Sequence, residues 1–181
     1  LLQAGRHPEV LKKMYDEVDE IVGQKAHITY DDVNKMDYIY AVWKESLRMF
    51  PIAPMTFREI DRKGVKIAGC KIPKGTTVMM SQYVSSRMPS LVKNPLDFKP
   101  ERFLGQSSER PNPYGYFPFS IGPRNCLGQN FANLEGRIII AKFLQNFHFK
   151  LDPTQSFGAM DSTTLQPKDR VRATLSWRKT T

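Results

Sequence analysis

One cysteine, Cys126, stands in the run Phe119-Ser120-Ile121-Gly122-Pro123-Arg124-Asn125-Cys126-Leu127-Gly128. Cysteine ligates metal as the thiolate, which forms readily beside cationic groups and at helix N-termini. Arg124 supplies the cation. The apolar segment from Leu127 to about Gln145 supplies a helix, whose unpaired N–H groups and positive dipole end would face the sulfur. Gly122 and Gly128 leave room for a tight turn and for a flat cofactor to lie against the backbone. The chemistry on offer is thiolate ligation of a metal carried by such a cofactor. A lone free cysteine is more often an ordinary buried residue, so the rest of the chain has to support that reading.

The pattern F-x-x-G-x-R-x-C-x-G is met here at every defined position, and it resembles the haem-binding loop of the cytochrome P-450 monooxygenases, whose haem iron is held by a cysteine thiolate. The resemblance implies Cys126 as the proximal ligand of haem iron. Phe119, Gly122, Arg124 and Gly128 would bind the cofactor with it, and Arg58 would be a second propionate partner. Glu45 and Arg48 lie three apart on a helix expected from about Asp37 to Phe50, so their heads share one face. On that evidence alone they could be a surface pair worth about 0–1 kcal/mol. Downstream, Pro100-Glu101-Arg102-Phe103 resembles the family segment whose arginine joins the E-x-x-R pair. A buried cluster of Glu45, Arg48 and Arg102 is therefore implied, with two guanidiniums sharing one carboxylate in a structural role.

The resemblance covers essentially all 181 residues and implies a mainly α fold with small β-sheets. Residues 1–181 would be the C-terminal haem-binding portion of a single cytochrome P-450 domain, from the J helix onward. The N-terminal anchor and the I helix would lie outside it. No A/G-G-x-D/E-T pattern is present; Thr76-Thr77 and Thr163-Thr164 stand in strand or turn contexts. The start Leu1-Leu2-Gln3-Ala4-Gly5 suggests a piece of a longer protein. Such a piece is expected to fold poorly and hold haem weakly by itself. The implied activity is hydroxylation of an apolar small molecule by O2 and electrons from an NADPH-dependent flavoprotein reductase. Ile52, Ala53, Met55, Thr56 and a turn near Ala159 would touch substrate, and no catalytic residue beyond the haem ligand is expected. Residues 42–48, 56–58 and 116–120 are most similar to the animal microsomal cholesterol 24-hydroxylase branch. That likeness makes a sterol such as cholesterol the candidate substrate and the cytosolic face of the endoplasmic reticulum membrane the expected location. The alternative is a haem-binding or interaction module without turnover.

Composition sets wider bounds. At 40% hydrophobic and 25% charged residues the chain reads as an ordinary globular protein. Cys70 and Cys126 give no disulfide framework, and Cys70, after Gly69, is expected in a turn. His7, His27 and His148 have no mutual ligand spacing, so zinc is not expected. The formal charge of +9 is scattered and lacks any nucleic-acid-binding motif, so nucleic acid is not an expected partner. An acidic protein docking near the cysteine is the alternative use of that charge.

Several elements must position these groups. Pro8-Glu9 opens a helix with Val10, Leu11, Met14, Val18, Ile21 and Val22 at helical spacing, ended by Gly23. Thr29 reads as the cap of a short helix to about Lys35. Thr56–Ile60, Val65–Ala68 and Thr76–Ser81 are candidate strands separated by turn sequences. Six prolines between Arg87 and Pro118 exclude long helices there, and Phe117 and Phe119 would be apolar cover for the cofactor. The helix from Gln129 to Gln145 should be buried on more than one side. Phe147–Leu151 and Val171–Trp177 are closing strands, linked by an expected turn from Phe157 to Leu165.

Overall fold

The computed structural model describes residues 1–162 and 164–178; Thr163 of the Thr163-Thr164 pair lies outside the described residues. Helices α1 (Leu2–Arg6), α2 (Pro8–Ile21), α3 (Tyr30–Lys35) and α4 (Asp37–Met49) precede a β-rich middle. Strands β1 (Met55–Glu59) and β4 (Thr77–Ser81) pair antiparallel, as do β2 (Lys66–Ile67) and β3 (Cys70–Lys71). The short helix α5 (Gln82–Ser85) follows β4, and the long α6 (Gln129–Asn146) follows the cysteine loop. Strands β5 (Phe147–Leu151) and β8 (Ala173–Trp177) pair, as do β6 (Ala159–Ser162) and β7 (Thr164–Pro167). This is the mainly α architecture with small antiparallel sheets that the resemblance implies.

The core lies where α2, α4 and α6 meet. Val10, Met14 and Val18 of α2 pack with Ile39 and Val42 of α4 and with Ile140, Ala141 and Leu144 of α6. Positions three and four apart share a helix face, so these residues form continuous apolar stripes. Where α4 crosses α6, Trp43 lies against Gly136. A Cβ added there would stand 2.7 Å from the indole ring, so the missing side chain is what permits the approach. The indole Nε1 donates to Asn133 Oδ1 at 2.9 Å, which fixes the crossing by a hydrogen bond as well as by packing.

The helix ends are held in two ways. Thr29 and Asp32 form the expected capping box on α3. The Lys25 ammonium, 2.6 Å from Asp32 Oδ1, holds that carboxyl well below the usual range, with the Thr29 hydrogen bonds assisting. Met36 caps α4 without a side-chain hydrogen bond. Instead Glu17 of α2 accepts the backbone N–H groups of Tyr38 and Ile39 at 2.7 and 2.8 Å. Burial pushes the Glu17 carboxyl upward, against those two bonds.

Four sequence expectations change. Cys70 begins β3, and the turn before it is Ala68-Gly69, both with positive φ; a two-residue ladder leaves no alternation to read. The strand expected at Val65–Ala68 accordingly shortens to Lys66–Ile67. The expected turn from Phe157 to Leu165 is the β6–β7 hairpin. Finally, α6 buries one side only, with Phe131 and Ile139 exposed on the other, because no described element packs against that face. No helix among the described residues is long and apolar enough to cross a membrane.

Candidate functional site

The last turns of α4 carry Glu45 and Arg48 into the interior, and a 3-10 turn at Pro100–Phe103 brings Arg102 to them. All three side chains are fully buried. Arg48 Nε and Nη2 donate to the two oxygens of Glu45 at 2.8 and 2.9 Å, a bidentate pair. Arg102 Nε donates to Glu45 Oε1 at 3.0 Å, and the backbone N–H of Lys99 reaches the same oxygen at 2.8 Å. The surface-pair alternative is thereby excluded.

Two guanidiniums on one carboxylate leave many N–H groups that burial would penalise. The proline-rich loop supplies their acceptors. Arg48 donates to the carbonyls of Ser86, Pro95 and Asp97, and Arg102 to those of Lys93, Asn94 and Asp97. A stretch that cannot form its own ladder is thus ordered by two buried arginines. Sequence reading reached the three charges but not these carbonyls, because main-chain acceptors carry no residue signature.

The cysteine loop is built differently. Cys126 N–H donates to Phe119 C=O at 2.8 Å, Ser120 N–H to Phe117 C=O at 2.8 Å, and Asn125 N–H to Gly122 C=O at 3.0 Å. Gly122 sits at φ +80°, in the left-handed region where glycine is favoured. Gly128 does not share that role: its φ is −84° and it is the N-cap of α6. A Cβ there would stand 3.9 Å from Cys126 Sγ, an ordinary contact, so the turn does not require glycine at 128. The backbone of Cys126 is wired into the loop while its side chain stays exposed.

That side chain borders a hollow of about 340 Å³. Ile52, Ala53, Met55 and Thr56 form one wall, and Phe117, Phe119, Ser120 and Arg124 join Cys126 on the other. Arg58 projects from β1 toward the same loop, with Nη2 3.4 Å from Ser120 Oγ and Nη1 donating to its neighbour's carbonyl at Phe57. Residues about seventy positions apart in the chain therefore converge on one concavity. Its lining is largely apolar, with one guanidinium in the wall and another bonded to it. Thr56 Oγ1 is buried away from the open space without a hydrogen-bond partner among the described residues. An apolar wall, a sulfur ligand and two cations are the donor set that a flat, metal-bearing ring with anionic edges would need, so the residues present fit haem.

The remaining expected contact falls elsewhere. Ala159, in β6, borders a second cavity of about 230 Å³ with Trp43, Leu47 and Phe50. Ile52 lines both spaces, and Leu165 N–H bonds its carbonyl at 2.8 Å, which holds the β6–β7 hairpin over the second cavity. Met80 and Gln82 line the hollow without having been expected. The register Thr56↔Met80 explains Met80, since a residue facing the hollow from β1 brings its cross-strand partner with it, and Gln82 follows two residues on, at the start of α5.

A family model for cytochrome P450 matches residues 1–174. Cytochrome P450 3A28 of Bos taurus is 44% identical over 144 residues, 80% of this chain and 28% of the bovine protein. Lithocholate 6-beta-hydroxylase of Mesocricetus auratus is 43% identical over 147 residues, 81% of this chain and 29% of that protein. Cytochrome P450 3A19 of Capra hircus aegagrus is 42% identical over 149 residues, covering 82% of this chain and 68% of its relative. This chain thus spans under a third of the length of the bovine and hamster proteins. None of the three is a cholesterol 24-hydroxylase, so they do not carry the finer likeness read from residues 42–48, 56–58 and 116–120. With the loop pattern, the buried Glu–Arg–Arg cluster and a match running almost end to end, the chain belongs to the cytochrome P450 family, whose cofactor is haem.

Proposed function

We propose that this chain is the haem-holding part of a haem-thiolate monooxygenase that hydroxylates an apolar small molecule. One observation carries the reading: Cys126, Arg124 and, through Ser120, Arg58 converge on a single apolar-walled hollow. Cys126 would ligate the iron from below through its sulfur. Arg124 and Arg58 would pair with the propionates, where a planar fork of donors suits a carboxylate. Phe117 and Phe119 would cover the ring and exclude water, and Gly122 would let the loop turn under it. Bound haem supplies O2 activation, with electrons delivered one at a time by an NADPH-dependent flavoprotein reductase.

Ile52, Ala53, Met55 and Thr56 form the opposite wall and would orient substrate by apolar contact. Ala159 would contribute only if substrate reached past Ile52 into the second cavity. A sterol-class substrate suits these walls, and one relative is named for hydroxylating lithocholate. Residence at the endoplasmic reticulum membrane, facing the cytosol, belongs to the same proposal and rests on the resemblance to microsomal forms.

The test replaces Cys126 by serine and records the reduced carbon monoxide spectrum of the haem-loaded protein. Loss of the thiolate-type Soret band is expected, and an unchanged band would overturn the ligand assignment. Titration with cholesterol and with lithocholate, read as the high-spin shift of the ferric spectrum, tests the substrate class. No shift with either would remove the sterol reading.

A further inference from the structure

The junction of β4 and α5 touches both walls of the hollow. On one side Ser81 Oγ donates to Pro54 C=O at 3.2 Å, and Tyr83 N–H reaches the same carbonyl at 3.1 Å. On the other, the side chain of Gln82 turns inward and is 2% exposed. Its Oε1 accepts the backbone N–H of Phe117, and its Nε2 approaches Gly115 C=O at 3.5 Å. Three consecutive residues thus tie the Pro54 wall to the Phe117 wall.

The Phe117 tie leads directly to the cysteine. Phe117 C=O accepts Ser120 N–H, and Phe119 C=O accepts Cys126 N–H, both at 2.8 Å. With Gln82 on Phe117 N–H, three hydrogen bonds run in sequence from the β4–α5 junction to the backbone of Cys126. Pro118 lies between and has no N–H, so Phe117 N–H is the nearest main-chain donor before Phe119 through which the segment can be anchored. The loop itself is exposed from Ile121 to Gly128 and has no comparable buried attachment of its own.

We propose that Gln82 is a positioning residue that sets the height of Cys126 in the hollow by holding Phe117. Its spectroscopic consequence rests on the haem-thiolate reading above, whereas its effect on the loop backbone does not. Hydrogen exchange resolved to single residues in the haem-loaded protein should find the Phe117 amide exchanging roughly tenfold or more slowly than that of Tyr116. In Gln82→Met, which keeps length and loses the acceptor, exchange at Phe117 and Cys126 should quicken by roughly tenfold. Part of the thiolate-type Soret band of the reduced carbon monoxide complex should also be lost. Gln82→Glu keeps an acceptor oxygen and, at a pH where its buried carboxyl is neutral and can still donate toward Gly115 C=O, should stay near wild type on both readouts. A residue that merely contributed to stability would lower the melting point in both variants and leave the spectrum of the folded fraction unchanged.

Equal exchange at Phe117 and Tyr116 in the wild type would overturn the proposal, and so would a neutral Glu variant behaving like the Met variant. If Gln82→Met does not fold, the wild-type exchange pattern and the Glu variant still decide. A wild type lacking the thiolate band while Phe117 stays protected would sink the haem-thiolate reading and leave the anchoring of the loop supported.

Discussion

The Glu45 cluster and the Cys126 loop are the two polar constructions at the centre of this molecule, and they are built on opposite plans. In the cluster all three charged side chains are fully buried, and protein groups fill them: carboxylate to guanidinium, guanidinium to main-chain carbonyl. In the loop the chain satisfies mainly its own backbone, and the sulfur of Cys126 stays accessible. A closed network has no capacity left for a ligand, and removing a member strands buried charge. An open one contributes little to stability and leaves its chemistry to an occupant. The contrast makes the first a piece of architecture and leaves the second open to the proposed ligand, although both are motifs of charged or polarisable residues.

Substitutions can break that division. Glu45→Ala leaves Arg48 and Arg102 buried without their shared carboxylate, a loss of about 3–5 kcal/mol. Chemical unfolding, or the yield of folded protein if none survives, would read it; a change below about 1 kcal/mol would return the cluster to the class of surface pairs. Gly136→Ala drives a Cβ into the Trp43 ring and should cost about 1–3 kcal/mol by forcing α4 and α6 apart. That cost would appear in the same unfolding measurement and in a shifted Trp43 fluorescence.

A third test lies outside both constructions, on α3. Asp32 is held ionised by Lys25 and Thr29. Its folded-state pKa lies below its unfolded value, so its contribution is complete above the unfolded carboxylate range and falls away as pH drops below about 4. Asp32→Asn should therefore destabilise at neutral pH and converge on the wild type in acid, as thermal melts at several pH values would show. Glu17 acts in the opposite sense. Its raised pKa means that the folded state binds the extra proton, so stability declines as pH rises from the unfolded value through the folded one.

The smallest effect on stability belongs to the residue proposed as the haem ligand. Cys126→Ser, at an exposed position, should change the stability of the cofactor-free protein by no more than about 0.5 kcal/mol. The same substitution should abolish the thiolate spectrum of the loaded protein. A large loss of cofactor-free stability would show that the loop is packed as tightly as the cluster, and the contrast would fail.

Much of the frame was legible before any coordinates. The start of α2 follows from Pro8 and its body from apolar spacing, and α4 runs from Asp37 to Met49, close to the span expected. Thr29 and Asp32 announce the capping box by their separation alone. Ala159 borders the cavity across Ile52 from Cys126, and sequence alone cannot say on which side of Ile52 a hairpin falls. The Cys70 turn was misplaced by a single residue, since one two-residue ladder generates no periodic signal. Gly128 lies in the turn before α6, as its neighbours suggest, but its φ of −84° does not use the freedom of glycine, because φ is a property of the folded backbone and not of the residue type.

What the sequence determined by itself is the chemical inventory and its local setting: a cysteine before a helix, an E-x-x-R pair on one helical face, and a later arginine. These depend on neighbours a few positions apart, where helical geometry and turn chemistry leave few choices. Only the tertiary structure decided which inventory members are closed to solvent and which are open. Burial of Glu45 depends on Arg102, fifty-seven residues away, and the segment that leads to Cys126 is hydrogen-bonded to Gln82 and to Arg58 of β1. Those distances in sequence are bridged by strand register and by helix packing, and neither is written in any short motif.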